Sequence, residues 1–193
     1  QHLETFALFE NEARTNAVFT GYALRKIIPH ITTNKITLIT HSLGARVALS
    51  CLFNTYTDYV TNTLQALPTP SQDTVYICLV APAIGNAPFD LYYNRNTSLS
   101  FSQNDNYKLA ILYNEEDLVL LKKWNAIGPG PTKFGDTSLG CNYEQAIHKL
   151  QTTFTNQYPN SALSLIEVQV GKTHLVEHYM LSDGFRMFLD STQ

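Results

Sequence analysis

Short runs that are mostly apolar constrain this chain more than any other feature of its sequence. They lie at residues 36–40, 75–80, 108–113 and 163–170. Continuous apolar runs indicate strands that are buried on both faces, whereas an alternating pattern would indicate one solvated face. Long connections and helical segments separate the runs, as parallel strands require. The sequence therefore predicts an α/β fold with a parallel sheet covered by helices on both faces.

Segments with helical spacing lie between and around these strands. Apolar and small residues recur at helical intervals over residues 11–28, and Pro29 supplies a stop. A second helix is predicted at about residues 43–54, a third at about 142–156, and a helical region closes the chain. The polar stretch 60–74 is predicted to be a loop.

Composition fits one globular domain and excludes several functions. Of 193 residues, 44% are hydrophobic and 15% charged, which is enough apolar material for a core. The 13 Lys and Arg against 16 Asp and Glu leave a net charge of −3, which argues against a nucleic-acid binder. No apolar run approaches the roughly 20 residues of a membrane-spanning helix. Residues 82–106 and 128–140 are predicted to be insertions within a single domain, residues 1–193.

The cysteines and histidines show no spacing typical of a metal site or a disulfide scaffold. Cys51, Cys78 and Cys141 are odd in number and widely separated. Cys51 and Cys78 lie in apolar runs, where buried free thiols are usual. No His, Cys and Asp cluster has metal-ligand spacing, so no metal or cofactor is predicted.

The segment that carries chemistry is the junction of the first strand with the second helix. The strand leads directly into Ser42, and a helix begins directly after it, as a nucleophile elbow requires. A tight turn there would raise the Ser42 hydroxyl above the end of the sheet, and small Gly44 and Ala45 would let the helix pack closely on the strand. The Leu43 N–H, at the helix N-terminus, would point at a developing oxyanion.

A nucleophilic serine needs a base, and the base needs an orienting carboxylate. Function in parallel sheets gathers beyond the carboxyl ends of the strands. The third strand is followed by acidic residues 115–117, and the fourth by Gly171 and His174. The order Ser42, acid, His174 is the order found in α/β-hydrolases.

On these motifs the chain resembles the C-terminal half of a serine hydrolase of the α/β-hydrolase superfamily, in its lipase- and esterase-like branch that carries His-Ser-x-Gly. The resemblance spans roughly residues 11–190, and the elbow, the acid loop and the His loop are its specific parts. The segment 113–120 is similar to the superfamily's acid loop, in which an Asp precedes a short apolar stretch, and this selects Asp117 over Glu115 and Glu116. Thr40 stands where the elbow pattern has Gly, although Ser and Ala also occur there.

The resemblance implies an enzyme that cleaves an ester, of a lipid or another small-molecule acyl ester, through an acyl-enzyme. Ser42 would be the nucleophile, His174 the general base, Asp117 the orienting acid and Leu43 an oxyanion donor, with no cofactor. The superfamily sheet has strands before the nucleophile strand, and no counterparts are found here. We therefore expect a partner chain or a missing N-terminal segment to complete the sheet and to donate the second oxyanion N–H.

Other interpretations of these residues remain open. Ser42 would also suit a helix N-cap, and Asp117 a loop or capping carboxylate with Glu116 as its rival for the acid role. His174 would also suit a strand end, and His178 is the alternative base. With these roles, the whole chain would be a non-catalytic binding or scaffold domain that retains the fold. A third possibility keeps the same triad in a hydrolase of amides or thioesters.

The remaining histidines and an aromatic cluster have simpler interpretations. His41, although it neighbours the nucleophile, is predicted to be a buried structural histidine, and His2, His30 and His148 to face solvent. Aromatic side chains between the second and third strands would form a lid or an acyl pocket, or would only cover the sheet edge: Phe89, Tyr92, Tyr93 and Phe101.

Overall fold

A computed structural model describes residues 13–53, 74–84, 106–121, 140–141, 154 and 160–193 of the chain. Its centre is one sheet of four parallel strands in the spatial order β1-β2-β3-β4. The strands are β1 (Lys35–His41), β2 (Thr74–Val80), β3 (Tyr107–Tyr113) and β4 (Ala162–Glu167). The predicted α/β class with a parallel sheet is confirmed.

Helices flank the sheet in the described ranges. They are α1 (Arg14–Arg25), α2 (Gly44–Leu52), α3 (Val176–Met180) and α4 (Asp183–Ser191), with a 3-10 turn at Ile28–His30 after α1. None of the helices in these ranges is long and apolar enough to cross a bilayer.

The carboxyl ends of the strands lie level at one edge of the sheet. His41 pairs with Val80 at the ends of β1 and β2, and Tyr113 pairs with Glu167 at the ends of β3 and β4. Since all four strands run the same way, the segments that follow them meet at this edge. The fold thus brings together residues that are far apart in the sequence.

Alternate side chains of the central strands enter two separate cores. Ile77 and Ile111 pack on the face that carries α2, together with Leu49. Their neighbours Cys78 and Leu112 pack on the opposite face, which carries α3 and α4. Both faces of the central strands are therefore covered, which explains why the sequences of these strands are mostly apolar.

The covering is incomplete over β1. Ile39, on the face opposite α2, is 44% exposed, and Thr37 on the same face is also exposed. In the described part of the chain β1 pairs only with β2 and forms an edge of the sheet. The prediction of a sheet covered on both faces is thus correct for β2 and β3 and wrong for this face of β1.

Several predicted boundaries are wrong by a few residues. The first helix, predicted at 11–28, ends at Arg25, because the bonds from Lys26 N to Ala23 O (3.1 Å) and from Ile27 N to Leu24 O (2.9 Å) already have 3-10 spacing. The second helix ends at Leu52.

The fourth strand, predicted at 163–170, ends at Glu167 because its partner β3 ends opposite it. Val168 remains buried, which explains why the apolar run continues past the strand. Thr74, predicted to be in a loop, begins β2. Almost all of the predicted helix 142–156, and the aromatic cluster at 89–101, lie outside the described residues.

The three cysteines are free and buried, as predicted for Cys51 and Cys78. Burial raises the pKa of Cys51 and that of Cys78 to about 12. Both thiols are therefore protonated at neutral pH, and they pack as small apolar core residues.

Candidate active site

The turn after β1 holds Ser42 in a strained backbone conformation. Its φ is +53°, in the left-handed region that non-glycine residues seldom adopt. Ser42 N donates to Val80 O at 3.0 Å, and Ser42 O accepts from Ala83 N at 3.1 Å. Because Val80 at the end of β2 and Ala83 just after it bind both backbone groups of Ser42, the surrounding structure maintains the strained conformation. Such strain is common at functional sites.

Close approach of α2 to β1 explains the small residue at position 44. A β-carbon on Gly44 would lie 3.4 Å from the β-carbon of Thr40, at the limit of ordinary contact. Ala45, the other small residue predicted to permit close packing, is completely buried. The turn therefore directs the chain from strand to helix within very few residues.

Leu43 lies at the N-cap position of α2. Ala45 N donates to Ser42 O at 3.2 Å and Arg46 N to Leu43 O at 3.0 Å, which closes the first helical turn. Among the described residues, none accepts a hydrogen bond from the Leu43 N–H. The N–H groups at a helix N-terminus attract negative charge.

The segment after β4 brings His174 to the Ser42 hydroxyl. Gly171 has φ +72°, a conformation that suits glycine and turns the chain back over the sheet edge. His174 Nε2 lies 2.8 Å from Ser42 Oγ. The imidazole is largely buried, with 14% of its side chain exposed.

The turn after β3 places Asp117 on the other side of the same imidazole. Asp117 Oδ2 lies 2.6 Å from His174 Nδ1, and the carboxylate is completely buried. Its second oxygen, Oδ1, accepts from Val119 N at 2.9 Å and from Leu120 N at 3.1 Å. The structure thus brings together the three side chains that the sequence selected, whereas their catalytic roles stay predictions.

Hydrogen bonding assigns the protonation states of this chain of groups. Burial alone would raise the pKa of Asp117, but hydrogen bonds from His174 and Tyr179, the charge of His174 and the Leu120 N–H together hold that pKa below its ordinary value. An ionised carboxylate only accepts hydrogen bonds, so His174 Nδ1 carries the proton. In the neutral imidazole Nε2 is then the acceptor, and the Ser42 hydroxyl donates to it.

His41 packs against this imidazole from β1. The two rings have centroids 4.7 Å apart, and the Nε2 atom of His41 is buried with no hydrogen-bond partner. Burial, and next the charge of His174, lower the pKa of His41, although a hydrogen bond with the His174 backbone opposes the shift. His41 is therefore neutral at pH 7, and its ring packs against the His174 imidazole.

The rival residues lie elsewhere. Glu115 and Glu116 are exposed on the turn that buries Asp117. His178, the alternative base, is exposed on α3, and His30 faces solvent as predicted. His2 and His148 lie outside the described residues.

Two buried polar residues at the site were not predicted from the sequence. Tyr179 O–H donates to Asp117 Oδ2 at 2.7 Å, and the Asn114 side chain donates to Gly171 O at 2.7 Å. Asn114 had a recognisable signal, because it is a polar residue directly after a buried strand. Tyr179 had none, since an aromatic residue in a short amphipathic helix usually packs in a core.

The comparisons with known proteins add no relative. No family model, no curated protein and no solved structure matches the chain. In the part of the chain that the structure describes, no group of three or more His, Cys, Asp or Glu side chains is placed to hold a metal ion.

Proposed function

We propose that this protein is a serine hydrolase of the α/β-hydrolase type that cleaves an ester through an acyl-enzyme. One observation carries the proposal: a continuous hydrogen-bonded series from Ser42 Oγ through His174 to Asp117, with distances of 2.8 and 2.6 Å. Each residue comes from the segment after a different strand, so local sequence does not account for their meeting. A helix cap or a strand-end histidine would not need this arrangement.

Acylation begins when the Ser42 oxygen attacks the ester carbonyl and its proton passes to His174 Nε2. The carbonyl oxygen becomes an oxyanion, which the Leu43 N–H binds at the N-terminus of α2. The intermediate collapses as the bond to the alcohol oxygen breaks, and His174 gives its proton to that oxygen. Asp117 holds Nδ1 protonated throughout and stabilises the transient imidazolium.

Deacylation repeats these steps with water. His174 takes a proton from the water, whose oxygen attacks the acyl carbon, and the second intermediate collapses to release a carboxylic acid. The proton returns from Nε2 to the Ser42 oxygen as the acyl–oxygen bond breaks. Protons and electron pairs balance over the cycle without a cofactor.

Exposed apolar side chains beside the acid and the base support an acyl ester, such as a lipid, as the substrate. Leu118 and Val119 follow Asp117 and are 49% and 47% exposed, while Leu175 and Val176 follow His174 and are 53% and 37% exposed. Exposed apolar residues that cluster at a site typically contact an apolar ligand. A panel of esters with short and long acyl groups, with matched amides and thioesters, tests this part of the proposal.

The open edge of β1 supports the expectation that another strand completes the sheet. Edge strands present unpaired backbone groups and are normally covered or paired. An added strand, from a partner chain or another segment of the protein, would lie beside the Ser42 turn. It would be positioned to contribute the second oxyanion donor.

A fluorophosphonate probe tests the function directly, because it reacts only with an activated serine. We expect the protein to be labelled and Ser42→Ala to abolish labelling. Ser191→Ala, which removes an exposed serine at the end of α4, is the matched control and should label like the wild type. A well-folded protein that takes no label would favour the alternative, a non-catalytic binding or scaffold domain that retains the fold.

A further inference from the structure

The hydroxyl of Tyr179 contacts the acid of the site, and the proposed reaction does not use it. Tyr179 lies in α3 and is completely buried. Its O–H donates to Asp117 Oδ2 at 2.7 Å, the same oxygen that lies 2.6 Å from His174 Nδ1. The phenol and the imidazole therefore share one carboxylate oxygen.

This contact differs from the two backbone hydrogen bonds that Asp117 receives. The backbone N–H groups of Val119 and Leu120 bind Oδ1 and form part of the turn itself. Tyr179 reaches Asp117 from another element and adds a donor on the side of the base. A donor at Oδ2 draws negative charge away from the bond with His174, which weakens the stabilisation of an imidazolium there.

Tyr179 is held rigidly enough to act in this way. Burial, and next the hydrogen bond to Asp117, raise the pKa of Tyr179, so its hydroxyl remains a donor. The Asn114 side chain donates to Gly171 O at 2.7 Å and accepts from Glu116 N at 3.2 Å, which joins the acid turn to the His174 segment. The acid turn, the His174 segment and α3 are thereby connected through these buried side chains.

We propose that Tyr179 is a positioning residue that acts through Asp117 and sets the pH at which His174 becomes a competent base. The inference rests on the proposed hydrolase function. Without the phenol hydroxyl, more of the carboxylate charge would face His174, the imidazolium would be stabilised, and the base would lose its proton only at higher pH.

Other titratable groups surround the pair and must be unchanged in the test. His41 faces His174 from β1, Cys141 and Asp117 face Tyr179, and Glu177 lies on α3 itself. Replacing the phenol with a benzyl side chain changes none of them. A shift in pH dependence is then assigned to the lost hydrogen bond.

The test compares Tyr179→Phe with the wild type in fluorophosphonate labelling rates over a range of pH. We expect the midpoint of the acidic limb to move up by about 0.5–1 pH unit, and the rate below the midpoint to fall roughly 3- to 10-fold. Tyr76→Phe is the matched control, since Tyr76 is a buried tyrosine of the same core near the opposite end of the strands. Its profile should coincide with that of the wild type.

A second replacement separates positioning from simple packing. Site-specific 3-fluorotyrosine at position 179 retains the ring and has a more acidic hydroxyl, so it donates more strongly and should move the midpoint down. Thermal unfolding of each protein identifies the folded pH range. If the profiles of the phenylalanine and fluorotyrosine proteins both coincide with the wild-type profile, the inference is overturned. If the wild type takes no label, or Ser42→Ala labels equally, the hydrolase proposal fails instead.

Discussion

The replacement Asp117→Asn separates the role of this residue in catalysis from its role in folding. Oδ1 accepts from two backbone N–H groups, and Oδ2 faces His174 Nδ1 and the Tyr179 hydroxyl. An amide has one acceptor oxygen and one donor NH₂ group, so it must present its NH₂ group to one of these pairs. Backbone N–H groups cannot become acceptors, whereas an imidazole nitrogen and a hydroxyl can. The NH₂ group will therefore face His174.

That orientation reverses the imidazole tautomer. His174 Nδ1 must accept from the new amide, so the proton moves to Nε2 and faces the Ser42 oxygen, where a base is needed. We expect the labelling rate to fall by about 10⁴-fold, equivalent to roughly 5 kcal/mol in the activation free energy. The backbone contacts survive, so the free energy of unfolding should fall by only about 1–3 kcal/mol, the value of a charge-assisted hydrogen bond.

Fluorophosphonate labelling followed over time, together with urea unfolding, measures both quantities on the same samples. Glu116→Gln is the matched control, because Glu116 is an exposed carboxylate one position away. It should label at the wild-type rate. A folded Asp117→Asn protein that labels within tenfold of the wild type would refute the tautomer argument, and a loss of rate in Glu116→Gln would move the acid role to that residue.

Three further substitutions test the fold around the site. Gly21→Ala should destabilise the protein by about 1–3 kcal/mol in urea unfolding, because the new β-carbon would lie 2.7 Å from Val47 O. An unchanged unfolding midpoint would contradict the close packing of α1 on α2. Ser182→Ala should cost about 1 kcal/mol, since the Ser182 hydroxyl caps α4 by accepting from Phe185 N at 3.2 Å. The pKa of His41 is lowered in the folded state, so the unfolded chain binds the proton more readily. The free energy of unfolding should therefore decrease as the pH is lowered below about 6.5. Melting curves at several pH values should show this decrease in the wild type and not in His41→Phe.

The sheet was predictable because burial on both faces leaves a strong mark in a sequence. All four strands appear as apolar runs, and the residue after each run could be examined for chemistry. Ser42, Asp117 and His174 were selected in this way. The selection of Asp117 over Glu116 needed the family resemblance, and the structure gives its physical reason: one carboxylate is buried among four donors while the other is exposed.

What was not predictable depends on partners remote in sequence. The end of β4 is set by the end of β3, and Val168 and Val170 are apolar for a different reason, packing beyond the sheet. The contact of Tyr179 with Asp117 joins α3 to the turn after β3, and no local pattern marks it. Periodicity reports which residues are buried, but it does not report which polar atom meets which.

Thr40 departs from the elbow pattern at a turn that leaves little space for side chains. The turn requires little bulk between the last strand residues and the first helical residue, and the elbow pattern usually meets this need with Gly at position 40 and again at 44. Here the Thr40 side chain lies next to Gly44, which has no side chain. A β-carbon added at Gly44 would lie 3.4 Å from the β-carbon of Thr40. The two positions should therefore be energetically coupled: Gly44→Val should cost about 1–3 kcal/mol of overpacking, and adding Thr40→Gly should recover at least about 0.5 kcal/mol of it. A double-mutant cycle in urea measures the coupling, and additive effects would mean that Thr40 and Gly44 do not compete for the space at this turn.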